Sequence, residues 1–186
     1  MIEQILKERL TDKRFNHSLG VRDTAAELAA IYGVDVEKAR LAGLIHDCCK
    51  GMSAEDSEAL CLKYGIDLTE FSEMHGGLLH APLGAEFAKR ELRISDREIL
   101  DAIYYHTTGR PDMTMLEKII YIADYIEPNR KGYYWLPSMR ALAPIDIDSA
   151  VLLGLNLSII YILDKNEMIH SLTTNARNHY LRRTKC

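Results

Sequence analysis

At 186 residues, 47% hydrophobic and 27% charged, the chain can bury one core and has the make-up of a globular domain, which excludes disordered and fibrous classes. A formal net charge of −4 and a pI near 6.0 argue against coating nucleic acid or an anionic membrane surface. No uninterrupted apolar run approaches the ~20 residues that span a bilayer, so no membrane partner and a cytoplasmic location are expected.

Taken in order, the predicted elements are nearly all helices. Met1-Ile-Glu-Gln-Ile-Leu-Lys-Glu-Arg-Leu10 reads as an amphipathic helix rather than a signal peptide. Val21, Ala25, Leu28 and Ile31/Tyr32 keep a 3.6-residue period up to Gly33, where a helix would stop. Asp35 is an N-cap for a helix through Ala39, Ala42, Leu44 and Ile45, expected to end near Gly51. Ser53-Ala-Glu-Asp56 starts another that closes at Tyr64-Gly65, and Pro82 suits the first position of a helix through Phe87 and Leu92.

Ser95-Asp-Arg-Glu98 and Thr114-Met-Leu-Glu117 are capping boxes, the second opening a helix that Pro128 stops. Asp146 caps a long last helix through Leu153, Leu157 and Ile160. The segments Glu70 to Ala81 and Asn129 to Pro137 read as loops, the second rich in aromatics. No repeat or linker appears. The expected architecture is all-α, a single helical bundle over 1–186, with a core at about 6–165 and a tail at about 166–186. Cysteines 48, 49, 61 and 186 follow no C-x-x-C spacing and read as small buried hydrophobes in a reducing compartment.

Polar residues interrupt these apolar stripes. His17 stands in line with Val21 and Ala25, His46 continues Ala39 and Ala42 with Asp47 beside it, His106 continues Ile99 and Ile103, and Asp124 lies in register with Ile120. His80 sits just ahead of Pro82. Singly, each reads best as a satisfied core histidine or a capping Asp. Together they demand a shared compensation, because each uncompensated burial costs several kcal/mol, roughly 2–7 for a neutral polar group. One metal centre compensates all of them. Imidazoles and carboxylates without thiolates suit iron, manganese, nickel, cobalt or zinc.

The order His17 … His46-Asp47 … His80 … His106 … Asp124 resembles the HD-domain metal-dependent phosphohydrolases. The segments His80-Ala-Pro-Leu-Gly-Ala85, Ile103-Tyr-Tyr-His-Thr-Thr-Gly-Arg-Pro111 and Tyr121-Ile-Ala-Asp-Tyr-Ile-Glu-Pro-Asn-Arg130 are similar to one branch, the YqeK-type symmetrical diadenosine tetraphosphate hydrolases. The resemblance runs from about Leu6 to Tyr180. It implies that His17, His46, Asp47 and Asp124 hold one divalent metal, iron in that family. It also implies that His80 and His106 hold a second ion beside Asp47 or contact the substrate phosphate.

Asp47, Lys50 and His80 are then the catalytic candidates. Substrate contacts are expected from His17, Lys50, His80, His106, Thr107, Asp124 and Arg130. The tail pattern His170-x-x-Thr173-x-x-Ala-Arg-Asn178 implies nucleotide contacts from Thr173 and Asn178. His75 resembles a loop histidine of the family and has no assigned role. The implied reaction cleaves a dinucleoside polyphosphate to ADP by water activated at the metal, with a homodimer as one candidate assembly.

Lys50, one turn past His46, is placed to neutralise a phosphate. Arg130, just past the helix of Asp124, is placed to clamp one with two parallel hydrogen bonds, and Arg110 offers the same from the loop after His106. Tyr133-Tyr-Trp135 either stacks on a purine or packs against the last helix. Competing readings are another HD chemistry (a nucleotidase, a (p)ppGpp hydrolase or a dimetal oxygenase) and a non-catalytic nucleotide sensor.

Overall fold

A computed structural model of the chain describes residues 2–67 and 77–184. Among these residues there are ten helices and no strand: α1 Ile2–Arg9, α2 Asp12–Tyr32, α3 Val36–Ile45, α4 Ala54–Tyr64, α5 His80–Arg90, α6 Arg97–Tyr105, α7 Met115–Ile126, α8 Leu136–Leu142, α9 Ile147–Asp164 and α10 Ser171–Arg183. The all-α expectation is met.

Short polar side chains start most of these helices by accepting an otherwise unpaired backbone N–H, a device worth ~1 kcal/mol each. Thr11, Asp35, Ser53, Thr114 and Asp146 cap α2, α3, α4, α7 and α9. At α6 the cap is Asp96, which accepts from Glu98 N, rather than Ser95 of the expected box. Gly33 and Gly65 end α2 and α4 in the left-handed conformation.

Other boundaries differ from expectation. α5 begins at His80, so Pro82 is its third residue, still inside the first turn where a missing N–H is harmless. α3 ends at Ile45 rather than near Gly51. There Cys48 N bonds Ile45 O and Lys50 N bonds Asp47 O, tightening the chain into turns that swing Asp47 inward. A helix, Leu136–Leu142, takes in the last two residues of the expected aromatic loop, with its proline in the first turn. The tail after Asn166 is a capped helix, α10, so α9 is not the last. Residues 68–76, with His75 and most of the glycine-rich loop, lie outside the described residues, as does Cys186.

α2 packs along α3 and α7, α6 bridges α3, α5 and α7, and α9 lies between α7 and α10. The helix at the centre is α7, where Leu116 through Ala123 are all buried, Glu117 paired with Arg110 and Lys118 with Asp148. Ile119, Ile120, Ile122, Ile45, Ile103, Leu155 and Met139 are fully buried with it, each contributing ~1.5–3 kcal/mol of transfer free energy. Cys48, Cys49 and Cys61 are buried free thiols, as expected. Gly43 lets α3 lie directly on α2, since a Cβ there would stand 3.0 Å from the Arg22 Cα and Val21 O. That contact brings the end of α3 beside His17.

One helix qualifies the sequence reading. The 18 residues of α9 are long and apolar enough to cross a membrane by length and composition. Its first half (Ile147, Ala150, Val151, Leu155) is buried in the core, while Ile160, Tyr161 and Leu163 are exposed.

Candidate metal centre

Five elements deliver the six residues singled out by their misplaced polarity. His17 comes from the first half of α2, His46 and Asp47 from the end of α3, His80 from the first position of α5, His106 from the end of α6 and Asp124 from α7. All but Asp124 are buried; its carboxylate is about one-fifth exposed.

His46 and His106 are positioned by the same device. Each follows the last residue of its helix, where carbonyls lack intrahelical partners. His46 Nδ1 lies 2.8 Å from Gly43 O, and His106 Nδ1 2.7 Å from Ile103 O. The ring N–H donates there, which leaves Nε2 with its lone pair facing inward. His17 reaches the same state through Glu127, whose Oε1 lies 3.1 Å from Nδ1. His80 Nδ1 lies 2.7 Å from Gly77 O.

These lone pairs converge on carboxylate oxygens. His17 Nε2 is 2.9 Å from Asp124 Oδ1 and 3.9 Å from Asp47 Oδ2. His46 Nε2 is 3.6 Å from Asp47 Oδ2 and 4.0 Å from Asp124 Oδ1. On the other side, Asp47 Oδ1 is 3.2 Å from His80 Nε2 and 3.5 Å from His106 Nε2. The last two nitrogens stand 3.0 Å apart, with Thr107 Oγ1 within 3.3 Å of both. Each oxygen of Asp47 thus faces one histidine pair.

The residues fit a divalent cation. His17 and His46 each have a buried Nε2 with no hydrogen-bond partner, pointed at anionic oxygen. A lone pair held against a carboxylate repels it unless a cation lies between them. Donor atoms of His17, His46 and Asp124 all lie within 4.8 Å of one another, as do those of His46, Asp47 and His106.

The protonation states of His46, His80, Asp47 and Asp124 agree, while His17, against its burial, has its pKa raised by Asp124 and Glu127. Burial pushes His46 and His80 down to about 4, keeping them neutral. Burial alone would raise Asp47, yet His46, His106 and His80 hold it well below the usual carboxylate range. Asp124 is likewise held low, against its burial, by His17, His46 and Arg130.

The cations divide into two kinds. Lys50 stays with the centre although α3 has ended: its Nζ lies 3.1 Å from His80 Nδ1 and 3.3 Å from Gly77 O. Arg130 donates to Asp124 O and, at 2.7 Å, to Asp124 Oδ1, so it braces a metal-side carboxylate at the edge of the cavity. Arg110 is spent elsewhere, forked on the buried Glu117 at 2.6 and 2.8 Å.

A cavity of about 270 Å³ opens beside Asp124, lined by His106, Thr107, Arg130, Tyr133, Trp135 and Tyr161 among others. Tyr133 stacks on Trp135 at 4.9 Å, and Trp135 meets Tyr125 edge-on at 5.8 Å. The aromatic segment therefore both packs on the core and walls the cavity. Thr173 is buried in α10, while Asn178 is exposed, bonded to Arg177, and lines a different groove with Asn156 and Ile160. The fold gathers the expected site residues around the centre except Thr173 and Asn178, and Arg110, which pairs with Glu117 instead.

Sequence reasoning missed Arg14, which donates to Asp47 Oδ2 at 2.9 Å, and Glu127. Arg14 is signalled in the sequence only by lying one turn before His17, and Glu127 by lying one turn after Asp124, inside the segment 121–130.

Residues 14–129 match the HD domain family model. The chain is 39% identical to the symmetrical bis(5'-nucleosyl)-tetraphosphatase of Halalkalibacterium halodurans, over 96% of this chain and 94% of that protein. It is 38% identical to the Bacillus subtilis protein of the same name, over 88% and 87%. A crystal structure of a predicted HD superfamily hydrolase involved in NAD metabolism, from Clostridium acetobutylicum, superposes with a TM-score of 0.93 at 44% identity, covering 98% of this chain and 96% of that one. With the helical bundle and the His/Asp centre already described, these likenesses show that the chain belongs to the HD-domain family, in the same branch as the symmetrical tetraphosphatases.

Proposed function

We propose that this chain hydrolyses diadenosine tetraphosphate symmetrically to ADP, using a divalent metal held by His17, His46, Asp47 and Asp124. The observation that carries the reading is the placement of two histidine pairs on opposite oxygens of Asp47, beside a cavity walled by aromatics and Arg130. Relatives named for this reaction match the chain over nearly its whole length. When bound, the ion supplies Lewis acidity and a water acidified toward hydroxide.

The chain's own residues do the rest. Neutral His46 and ionised Asp47 and Asp124 are in the protonation states that ligation requires. His80 and His106 face the far oxygen of Asp47 and either hold a second ion or donate to a phosphate oxygen. Lys50 lies against His80 and carries the charge, and a proton, to meet the departing ADP oxygen. Arg130 presents its guanidinium edge to a phosphate while fixing Asp124. Tyr133 and Trp135 offer ring faces to a purine, which burial against Tyr125 has already ordered.

Iron is the proposed native metal, as the family resemblance implies, and the nitrogen and oxygen donor set without thiolate suits it as it suits manganese, nickel, cobalt or zinc. A cytoplasmic hydrolase without a nucleic-acid or membrane partner remains the reading of charge and composition. The test is direct. Purified protein, metal-loaded without oxygen, is mixed with diadenosine tetraphosphate and the products are resolved by ion exchange. ADP as sole product is expected. AMP plus ATP, or no turnover with iron or manganese, contradicts the proposal.

A further inference from the structure

We propose that Arg14 is a phosphate-binding residue of this site, held by Asp47 in the metal-free protein and released to the polyphosphate when a divalent ion takes its place. The inference rests on the hydrolase reading above but concerns a side chain which that reading leaves unused. Arg14 sits in the first turn of α2, fixed there by the Thr11 cap, one turn ahead of His17. It donates through one nitrogen to Asp47 Oδ2 at 2.9 Å, its one side-chain partner among the described residues.

That oxygen is the one facing His17 and His46, so Arg14 and a metal ion compete for the same charge. The two groups also differ in exposure. The Asp47 side chain is 4% exposed and that of Arg14 39%, which places the guanidinium at the mouth and the carboxylate inside. Among the described residues its side chain uses one N–H donor, on Asp47, and the guanidinium carries five.

The neighbouring cations are committed differently. Arg130 holds Asp124 through two hydrogen bonds, Arg110 is forked on Glu117, and Lys50 bonds Gly77 O and His80. A metal would claim the carboxylate partners of both Arg14 and Arg130, but Arg130 keeps its hydrogen bond to Asp124 O, whereas Arg14 has no other side-chain partner than Asp47 among the described residues. Once an ion balances Asp47 and Asp124, the charges of Arg14, Lys50 and Arg130 are left to face the polyphosphate. These cations crowd one mouth: burial, and after it the charges of Arg14 and Arg130, lower the Lys50 pKa against the pull of Asp47 and Asp124. A guanidinium suits a phosphate oxygen pair because its fork donates two parallel hydrogen bonds.

The test uses Arg14→Ala and Arg14→Lys of the full chain, with manganese uptake and pyrophosphate binding measured by calorimetry. Arg14→Ala is expected to keep the manganese stoichiometry and to bind pyrophosphate ~10–100-fold more weakly, the loss of one or two charge-assisted hydrogen bonds. Arg14→Lys should recover part of that affinity. Thermal melts should show Arg14→Ala destabilised when metal-free and restored by manganese, which checks folding. Unchanged pyrophosphate affinity in Arg14→Ala, or loss of manganese, overturns the proposal, as does a wild type that takes up manganese but not pyrophosphate. The probe is not the substrate, so a wild type that binds pyrophosphate yet never yields ADP sinks the tetraphosphatase reading and leaves this one standing.

Discussion

Glu127 Oε1 lies 3.1 Å from Nδ1 of His17, joining residues 110 positions apart. Both groups are buried, and the second oxygen of Glu127 is held by the Asn129 N–H at 2.6 Å. The carboxylate therefore fixes the His17 tautomer and turns its Nε2 toward Asp124 and Asp47. A partner of this kind raises the basicity of a ligating imidazole and sets its angle.

Gly20 guards this arrangement. A Cβ at that position would stand 2.4 Å from Glu127 Oε2 and 3.2 Å from the Asn129 side-chain nitrogen. Gly20→Ala must displace Glu127, so metal affinity should fall ~10–100-fold, the usual effect of losing such a support. Glu127→Gln, which keeps the shape but removes the charge, should fall by less. Metal titration with helicity monitored in parallel checks both, and equal affinities for all three proteins would contradict the role given to Glu127.

Asp47→Ala removes the one side chain that faces both histidine pairs. It should abolish turnover and reduce bound metal to background in metal analysis. A variant that keeps its metal content and its activity would show that the centre lies elsewhere.

Trp135→Ala tests the aromatic wall. The ring stacks on Tyr133 and borders the cavity, so its loss should raise KM for diadenosine tetraphosphate with little change in kcat. The expected size is ~5–30-fold, taking ~1–2 kcal/mol for stacking a base on one aromatic ring. Affinity for pyrophosphate, which has no base, should not move. A parallel loss of pyrophosphate affinity would mean that Trp135 shapes the centre instead of binding the purine.

The metal-free protein should lose stability in mild acid. His46 and His80 take up protons at about 4 when folded but at ~6.5 when unfolded. The unfolded chain binds more protons between those values, so their contribution is full above ~6.5 and is lost as pH falls through 4. His17 runs the other way: burial opposes its charge, but Asp124 and Glu127 raise its pKa, so it favours folding below ~6.5. Asp47 and Asp124 are held low and stay ionised throughout this window. Two groups outweigh one, and the Tm of chelator-treated protein should drop between pH 7 and pH 5. A Tm that rises over that range would overturn this balance.

The helices and their caps were legible in the sequence wherever short-range chemistry governs them. Thr11, Asp35, Ser53, Thr114 and Asp146 act through neighbours two or three residues away. The six site residues were legible because each breaks an apolar stripe, a cost that is local and visible. α8 escaped notice because Tyr133-Tyr-Trp135 masks its start, and α10 because its apolar face is narrow.

What the sequence marked by itself was the set of candidate ligands, since buried polarity is written into helical periodicity. Only the tertiary structure decided how they are shared out. The end of α3 at Ile45 gives Asp47 two faces, the backbone contact at Gly43 brings His46 to His17, and Glu127 returns from the end of α7 to orient His17. The same packing forks Arg110 on Glu117, braces Asp124 with Arg130 and leaves Arg14 at the mouth with a partner that a metal would claim. Those partnerships join residues far apart in the chain, and no periodicity along one helix can encode an angle or distance to a side chain on another.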